Sequence, residues 1–348
     1  MSSFIDPDNK IKNSRVLITG GAGSIGSHLV RRILQLDPIS VRVYDSNETA
    51  LFYLSQEISD VRLRLLYGDI RDRERLSLAM EDINIVFHAA AMKHVSICEF
   101  NPFEAIHTNI IGTENVLLEA IHHNVNIVII ISTDKAVNPI NVMGMTKLLA
   151  EKMIISASSY RGLKQTVFCS VRFGNVLNSQ GSILPIFKKQ IEKGGPVTIT
   201  DPEMTRFCMT IDRAVDLTLK ALALSKGGEI FIFKMPSIRI THLADAIIQL
   251  QKLKNLSKLK DIQVTIVGKR PGEKIHEELF SEIESANIFE NEEIFVLLNQ
   301  FSLEFEKDKE YYAKLGFSKT QKREYSSNTS EFLSLEEIIS LIKDDFEN

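Results

Sequence analysis

Apolar and polar positions along the first half of the chain follow the rhythm of strands and helices taken in turn. Short runs that read apolar throughout occur at 15–19, 41–44, 61–67, 83–88, 125–131 and 166–171. Between them, apolar residues recur at helical spacing over 24–36, 49–58, 73–80, 103–122 and 142–159. Strands that are apolar throughout are buried on both faces, and strands separated by helices pair in parallel. The pattern predicts an α/β fold built on a doubly wound parallel sheet, with ligands bound beyond the carboxyl ends of its strands. The rhythm changes after about Asn178, where Gly181, Gly194-Gly195-Pro196 and Gly227-Gly228 punctuate shorter elements. A smaller C-terminal substrate-binding lobe is expected there. In this reading residues 1–180 form the first domain, segments near 211–233 return to its sheet, and 181–348 form mainly the lobe and a tail. The tail is acidic and less periodic from about Glu282 until 333–342, which reads as a closing helix.

The first strand runs into Gly20-Gly21-Ala22-Gly23-Ser24-Ile25-Gly26, a glycine turn followed by a helix start. Gly20 permits the turn, Gly23 lets backbone approach a pyrophosphate, and Gly26 lets helix pack on strand. Ser24 and Ile25 open the helix, whose free N–H groups and positive dipole end suit phosphate. Asp45 ends the second strand about 20 residues further on, where a carboxylate accepts from ribose hydroxyls. Ser46-Asn47 follow it, with no Arg or Lys for a 2′-phosphate, so NAD is expected rather than NADP. Asp69 and Ile70, after the third strand, are placed at the adenine. Ala89 and Ala90, after the fourth, offer small side chains where backbone passes close to the cofactor.

The most telling stretch lies between the fifth strand and the next helix. The apolar run ends in Ser132-Thr133-Asp134-Lys135, and Lys147 follows on a helix that starts near Val142. Residues 143 and 147 share a helix face. A short-chain dehydrogenase carries its catalytic Tyr and Lys on that face, but here position 143 is Met, which transfers no proton. Proton work then falls to Thr133, Asp134 and Lys135. Asp134 and Lys135 would point to opposite faces of a continuing strand, so both reach one substrate only if the backbone turns, which Asn138-Pro139 favours.

The 348 residues carry a net charge of 41 − 45 = −4. This points away from nucleic acid or an anionic membrane as general partners. No apolar run reaches the roughly 18–20 residues of a membrane span, and the N-terminus lacks the layout of a signal peptide. Cys98, Cys169 and Cys208 lack metal-ligand spacing and fit reduced thiols, so a cytoplasmic location is expected. The histidines are scattered, and no metal site is expected.

Several motifs together resemble the UDP-N-acetylglucosamine 4,6-dehydratases, nucleotide-sugar enzymes of the extended short-chain dehydrogenase superfamily. They are Thr133–Pro139 (TDKAVNP), Met92-Lys93-His94-Val95, Arg172–Val176 (RFGNV), Asp201–Phe207 (DPEMTRF) and Arg270-Pro271-Gly272-Glu273-Lys274. The similarity spans roughly residues 14–281 and is to the short form without a large membrane region. It implies that bound NAD takes hydride from sugar C4, that water is then lost across C5 and C6, and that hydride returns to C6. It implies Lys135 as the C5 base and Asp134 as the C6 acid, with Lys135 depressed by the reacting ketone and nicotinamide and Asp134 raised by exclusion of water. Lys147 keeps the cofactor ribose. Met143 matches the subgroup that lacks tyrosine, in which the threonine, here Thr133, assists at the C4 hydroxyl and C5 configuration is retained. The same resemblance gives Arg206 and Arg270 phosphate contacts, Asn175 a phosphate oxygen, Glu273 the ribose hydroxyls, and Lys93 a place near the sugar or pyrophosphate. It also implies a homo-oligomer formed through helices 103–122 and 142–159. A GDP-sugar substrate, a nucleotide-sugar 4-epimerase and a non-catalytic NAD-sensing protein remain as alternatives.

Overall fold

A computed structural model describes residues 7–160, 162, 164–254 and 262–343. The N-terminal stretch used above to judge a signal peptide starts outside them. After a short helix, α1 (Pro7–Ile11), the first half alternates as β1 (Arg15–Thr19), α2 (Ser24–Leu34), β2 (Ser40–Asp45), α3 (Glu48–Glu57), β3 (Leu63–Tyr67), α4 (Arg73–Met80) and β4 (Ile85–His88). It continues as α5 (Val95–Phe100), α6 (Pro102–Ile106), α7 (Gly112–His122), β5 (Ile127–Thr133), α8 (Val142–Tyr160) and β6 (Val167–Phe173). The lobe begins with β7 (Asn175–Val176), α9 (Ile183–Glu192), β8 (Val197–Ile199) and β9 (Thr205–Met209). Then α10 (Ile211–Leu224) and β10 (Ile230–Phe233) return to the main sheet before β11 (Ser237–Arg239), α11 (Ile240–Lys254) and β12 (Val264–Ile266).

The main sheet runs β3-β2-β1-β4-β5-β6-β10, all parallel. Its direction of winding reverses between β1 and β4, which opens a crevice at their carboxyl ends. Strands β4 and β10 are buried at every position, and β5 and β6 nearly so. That double coverage is why they read as unbroken apolar runs. Edge strand β3 is partly exposed along its length. Three further strands, Ile294–Leu297, Ile288–Glu290 and Ser318–Lys319, add antiparallel to the β10 edge. The sheet therefore extends into the segment read as tail. Short strands of irregular spacing gave too little periodicity to reveal it. The lobe has its own core, in which Leu184, Phe187, Ile199, Ile247 and Ile342 pack together. The closing helix forms at Leu335–Ile342 behind a Ser334/Glu337 capping box.

The helix expected over 103–122 forms with one irregularity: α6 runs through a wide π turn at His107–Ile111 directly into α7. Pro102 occupies the first turn of α6 and fixes its start. The π turn carries Asn109 into the interior. There its side chain accepts from Met92 N at 2.8 Å and donates to Met92 O and Thr146 Oγ1, both at 3.0 Å. Single π turns inside helices occur mostly at functional sites, and this one ties the loop after β4 to α8.

Candidate active site

At the end of β1 the chain turns through Gly20, whose φ is +65°. A Cβ there would lie 2.5 Å from Ala90 N, so the turn and the loop after β4 touch backbone to backbone. A Cβ on Gly26 would collide with Gly20 O and Gly21 Cα, so α2 packs on β1 only with glycine there. No side chain caps α2 at Gly23. The first N–H groups of the helix, at Ser24 and Ile25, thus face the crevice, as an anion-binding end requires. Asp45 accepts from Ala22 N at 3.0 Å and Asn47 N at 2.9 Å, which fixes its carboxylate beside the glycine turn. A cleft of about 430 Å³ opens here, lined by Ala22, Ser27, Asn47, Ala50, Tyr53 and Gln180. Uncapped donors, an acidic strand end and an adjoining cleft fit a dinucleotide.

Three side chains in this region, Asp69, Ser24 and Lys93, are hydrogen-bonded within the protein. The Asp69 carboxylate, assigned to an adenine, accepts from Arg71 N, Nε and a terminal nitrogen at 2.9, 2.9 and 2.6 Å. Burial works to raise its pKa, but these bonds outweigh burial and hold it below the usual carboxylate range. Ser24 Oγ accepts from Gln180 N at 2.9 Å, while Lys93 Nζ donates to Gln180 O at 2.6 Å. The loop after β7 is thereby strapped to the glycine turn. Sequence reasoning placed Lys93 near the site but missed Gln180, whose backbone makes both bonds.

The candidate acid–base residues sit at the end of β5. The strand ends at Thr133, and a 3₁₀ turn over Asp134–Ala136 begins at once. This turn, earlier than Asn138-Pro139, brings Asp134 and Lys135 to one place. Thr133 Oγ1 donates to Asp134 Oδ1 at 2.8 Å, and Lys135 Nζ donates to the same oxygen at 2.9 Å. Asp134 is fully buried, and its Oδ2 has no partner among the described residues. A buried acceptor left unpaired calls for an explanation such as a ligand or a catalytic role.

Glu277 completes the cluster and was not singled out in the sequence. It is buried, its Oε1 lies 3.5 Å from Lys135 Nζ, and its Oε2 is unpartnered among the described residues. Burial, helped by the Asp134 charge, pushes Glu277 above the usual carboxylate range against Lys135, Arg206 and Lys274. Burial works to lower Lys135, but Asp134 and Glu277 outweigh it, and Lys135 sits above its ordinary value. Two carboxylates face the amine and set this direction; the depression expected above was assigned to other neighbours, the reacting ketone and the nicotinamide.

Arg206 also departs from its expected role. Its guanidinium donates to the carbonyls of Thr205, Ile275 and Lys274 at 2.7, 3.0 and 2.9 Å, with Nε 3.8 Å from Glu277. The fork is filled by backbone, so Arg206 anchors the Glu277 segment rather than reaching for phosphate. Arg270 is open instead, with its side chain 64% exposed and 3.9 Å from Glu273. Glu273 accepts from Arg270 N at 3.1 Å. Asn141 holds this loop by donating to Gly272 O at 2.9 Å. Asn175, just past β6, keeps a buried Oδ1 without a partner among the described residues.

Behind β5, Lys147 donates to Ile131 O at 2.9 Å. Burial lowers its pKa to about 8, against the opposing charges of Glu151 and Cys98. Met143 packs with Cys98 and Ala105 one turn earlier. His88 bridges Thr19 and Thr113 at 2.7 and 3.1 Å, and burial, with Lys147 nearby, pushes it down to about 3. It is a neutral core residue. Arg172 is wholly buried and forks onto Glu151 of α8 and Glu284 of the short helix Glu282–Ser285. Ser132 of β5 donates to the same Glu151. This network fixes α8, and with it Lys147, against the end of β5. Among the described residues no helix is long and apolar enough to cross a membrane, and no group of His, Cys, Asp and Glu side chains is placed to hold a metal ion.

A doubly wound sheet with a glycine turn at its first strand, and a Thr-Asp-Lys cluster and Lys147 at the fifth, is the fold of the extended short-chain dehydrogenases. The chain belongs to the polysaccharide biosynthesis protein family, whose model matches residues 16–299. It is 50% identical to an uncharacterized membrane protein of Methanocaldococcus jannaschii, over 98% of each chain. It is 39% identical to the UDP-N-acetylglucosamine 4,6-dehydratase (inverting) of Campylobacter jejuni 81-176, covering 94% of this chain and 96% of that one. A UDP-glucose 4-epimerase of Rickettsia rickettsii is 37% identical over 94% of each chain. Among solved structures, Pen from Bacillus thuringiensis superposes with a TM-score of 0.88 at 40% identity, covering 96% of this chain and 98% of that one. These relatives support a nucleotide-sugar dehydratase or epimerase role in polysaccharide biosynthesis.

Proposed function

We propose that the chain is a nucleotide-sugar 4,6-dehydratase that uses NAD and acts on UDP-N-acetylglucosamine. The observation that carries this reading is the shared hydrogen bonding of Thr133, Asp134 and Lys135, with Asp134 Oδ2 buried and unpaired. Simple oxidation needs one proton acceptor, whereas elimination of water needs a base and an acid as well. NAD, when bound by the glycine turn, Asp45 and Lys147, supplies the acceptor and later the donor of a hydride. The Thr133 hydroxyl passes the C4 hydroxyl proton to Asp134. Asp134 then gives a proton to the departing C6 hydroxyl, and Lys135 removes the C5 proton and returns one to C5. Asn175, Arg270 and Glu273 hold the nucleotide, with Lys93 near the pyrophosphate.

Retention of configuration at C5 is part of the proposal and rests on Met143 in place of tyrosine. The Campylobacter relative is named as inverting, so C5 is where this chain is expected to part from it. Exposed Phe100 and Phe103 on α5 and α6, with Met145 and Leu149 on α8, support self-association through this helical face. The 4-epimerase reading draws on the Rickettsia relative. Incubation with UDP-N-acetylglucosamine and NAD separates the two. A dehydratase yields a 4-keto-6-deoxy sugar, and an epimerase yields an isomer that keeps its C6 hydroxyl.

A further inference from the structure

The Thr133–Asp134 bond gives the C4 hydroxyl proton a route, but Lys135 has none in that scheme. An amine pressed between two carboxylates holds its proton, and a base must lose it before it attacks C5. Asp134 also faces the amine, through the Oδ1 that it shares with Thr133, but its proton is committed to C6 in that scheme. Glu277 is the other carboxylate facing the amine, at 3.5 Å, and it has a buried oxygen with no partner among the described residues. It is held rigidly. Glu277 N donates to Ser327 Oγ at 2.9 Å, Ser327 N donates to Glu277 O at 2.8 Å, and Arg206 pins the adjoining backbone.

We propose that Glu277 is a positioning residue that takes the ammonium proton of Lys135, leaving a free amine to remove the C5 proton. The inference rests on the dehydratase reading above. The exchange balances. An N–H bond of Lys135 breaks and an O–H bond forms on Glu277, converting an ion pair into a neutral amine and a neutral acid. The amine lone pair then takes the C5 proton. After that proton returns to C5, Glu277 gives its own back to Lys135, and both groups recover their starting charges. No oxidant or reductant enters. The other titratable or charged groups facing the pair are Asp134 from the 3₁₀ turn, Arg206 and Cys208 from β9, and Lys274 from the loop after β12. Cys208 is pushed up to about 12, chiefly by burial, and so stays neutral. Arg206 and Lys274 are bonded to backbone carbonyls and accept no proton.

Glu277→Gln keeps the shape and removes the proton acceptor. Its kcat for the 4-keto-6-deoxy product is expected to fall about 100-fold at neutral pH, with KM nearly unchanged. The deficit should shrink as pH rises, because solvent base then strips Lys135 directly. Glu277→Asp, which keeps a carboxyl, should recover part of the rate. A loss of less than about threefold overturns the inference, as does a deficit constant with pH, since that marks a structural role. Where Glu277→Gln does not fold, Glu277→Asp carries the test by the same pH criterion. Wild-type protein that makes no 4-keto-6-deoxy sugar overturns the dehydratase reading itself. Wild-type turnover with an undiminished Glu277→Gln overturns this inference alone.

Discussion

Arg172→Met removes the centre of the buried network behind the active site. The arginine is fully enclosed and makes five hydrogen bonds, two to Glu151, two to Glu284 and one to Leu279 O. Met fills most of the volume but leaves Glu151, itself 1% exposed, with Ser132 as its remaining donor among the described residues. Removing one partner of a buried ion pair costs about 3–5 kcal/mol, because the other charge stays buried without compensation. In a chain of this length about 1.4 °C of melting temperature accompanies each kcal/mol, so a fall of about 4–7 °C is expected. Thermal unfolding followed by circular dichroism at pH 7 measures it. Arg172→Met combined with Glu151→Leu should regain part of the loss, since the orphaned charge on α8 is then gone. A fall below about 2 °C in the single variant, or a double variant less stable than the sum of its parts, refutes the view that this network locks α8 to the strand end.

Other outcomes follow from the same geometry. Lys147 titrates at about 8 in the fold against 10.5 free, so the unfolded chain binds more protons between these values and stability rises with pH across that window. Lys147→Met should abolish this rise in melts taken between pH 7 and 10, and should also lose dinucleotide binding by calorimetry. Gly20→Ala forces a Cβ to 2.5 Å from Ala90 N at a positive φ and should lower the melting temperature and abolish dinucleotide binding together. Phe100→Glu with Phe103→Glu places charge on side chains that are 86% and 76% exposed. Sedimentation should show a smaller species with an unchanged melting profile at low concentration if this face joins two copies.

What was legible in the sequence was local. Strands buried on both faces announce themselves as apolar runs, and the glycine turn carries a steric demand at Gly20 and Gly26 that no other residue meets. The Thr133-Asp134-Lys135 cluster was legible as chemistry-bearing residues at a strand end, although only the 3₁₀ turn that follows brings Asp134 and Lys135 to one place. Glu277 was not. It meets Lys135 across 277 − 135 = 142 positions, and it sits in His276-Glu277-Glu278 beside a carboxylate that faces outward to Asn138. No spacing distinguishes the inward glutamate from its neighbour. Arg206 misled for a related reason: an arginine suited to phosphate is equally suited to a cluster of carbonyls, and only the fold of the 274–277 segment decides between them. The π turn at His107–Ile111 was hidden because one extra residue in a turn barely disturbs helical periodicity, although it swings Asn109 inward.

The most direct test of the account is proton NMR of the product formed from UDP-N-acetylglucosamine by the wild-type protein supplied with NAD. The account predicts a 4-keto-6-deoxy sugar with a new methyl signal, C5 configuration retained, and no net reduction of NAD. A product that keeps its C6 hydroxyl, or an unchanged substrate, contradicts the assignment of base and acid to Lys135 and Asp134.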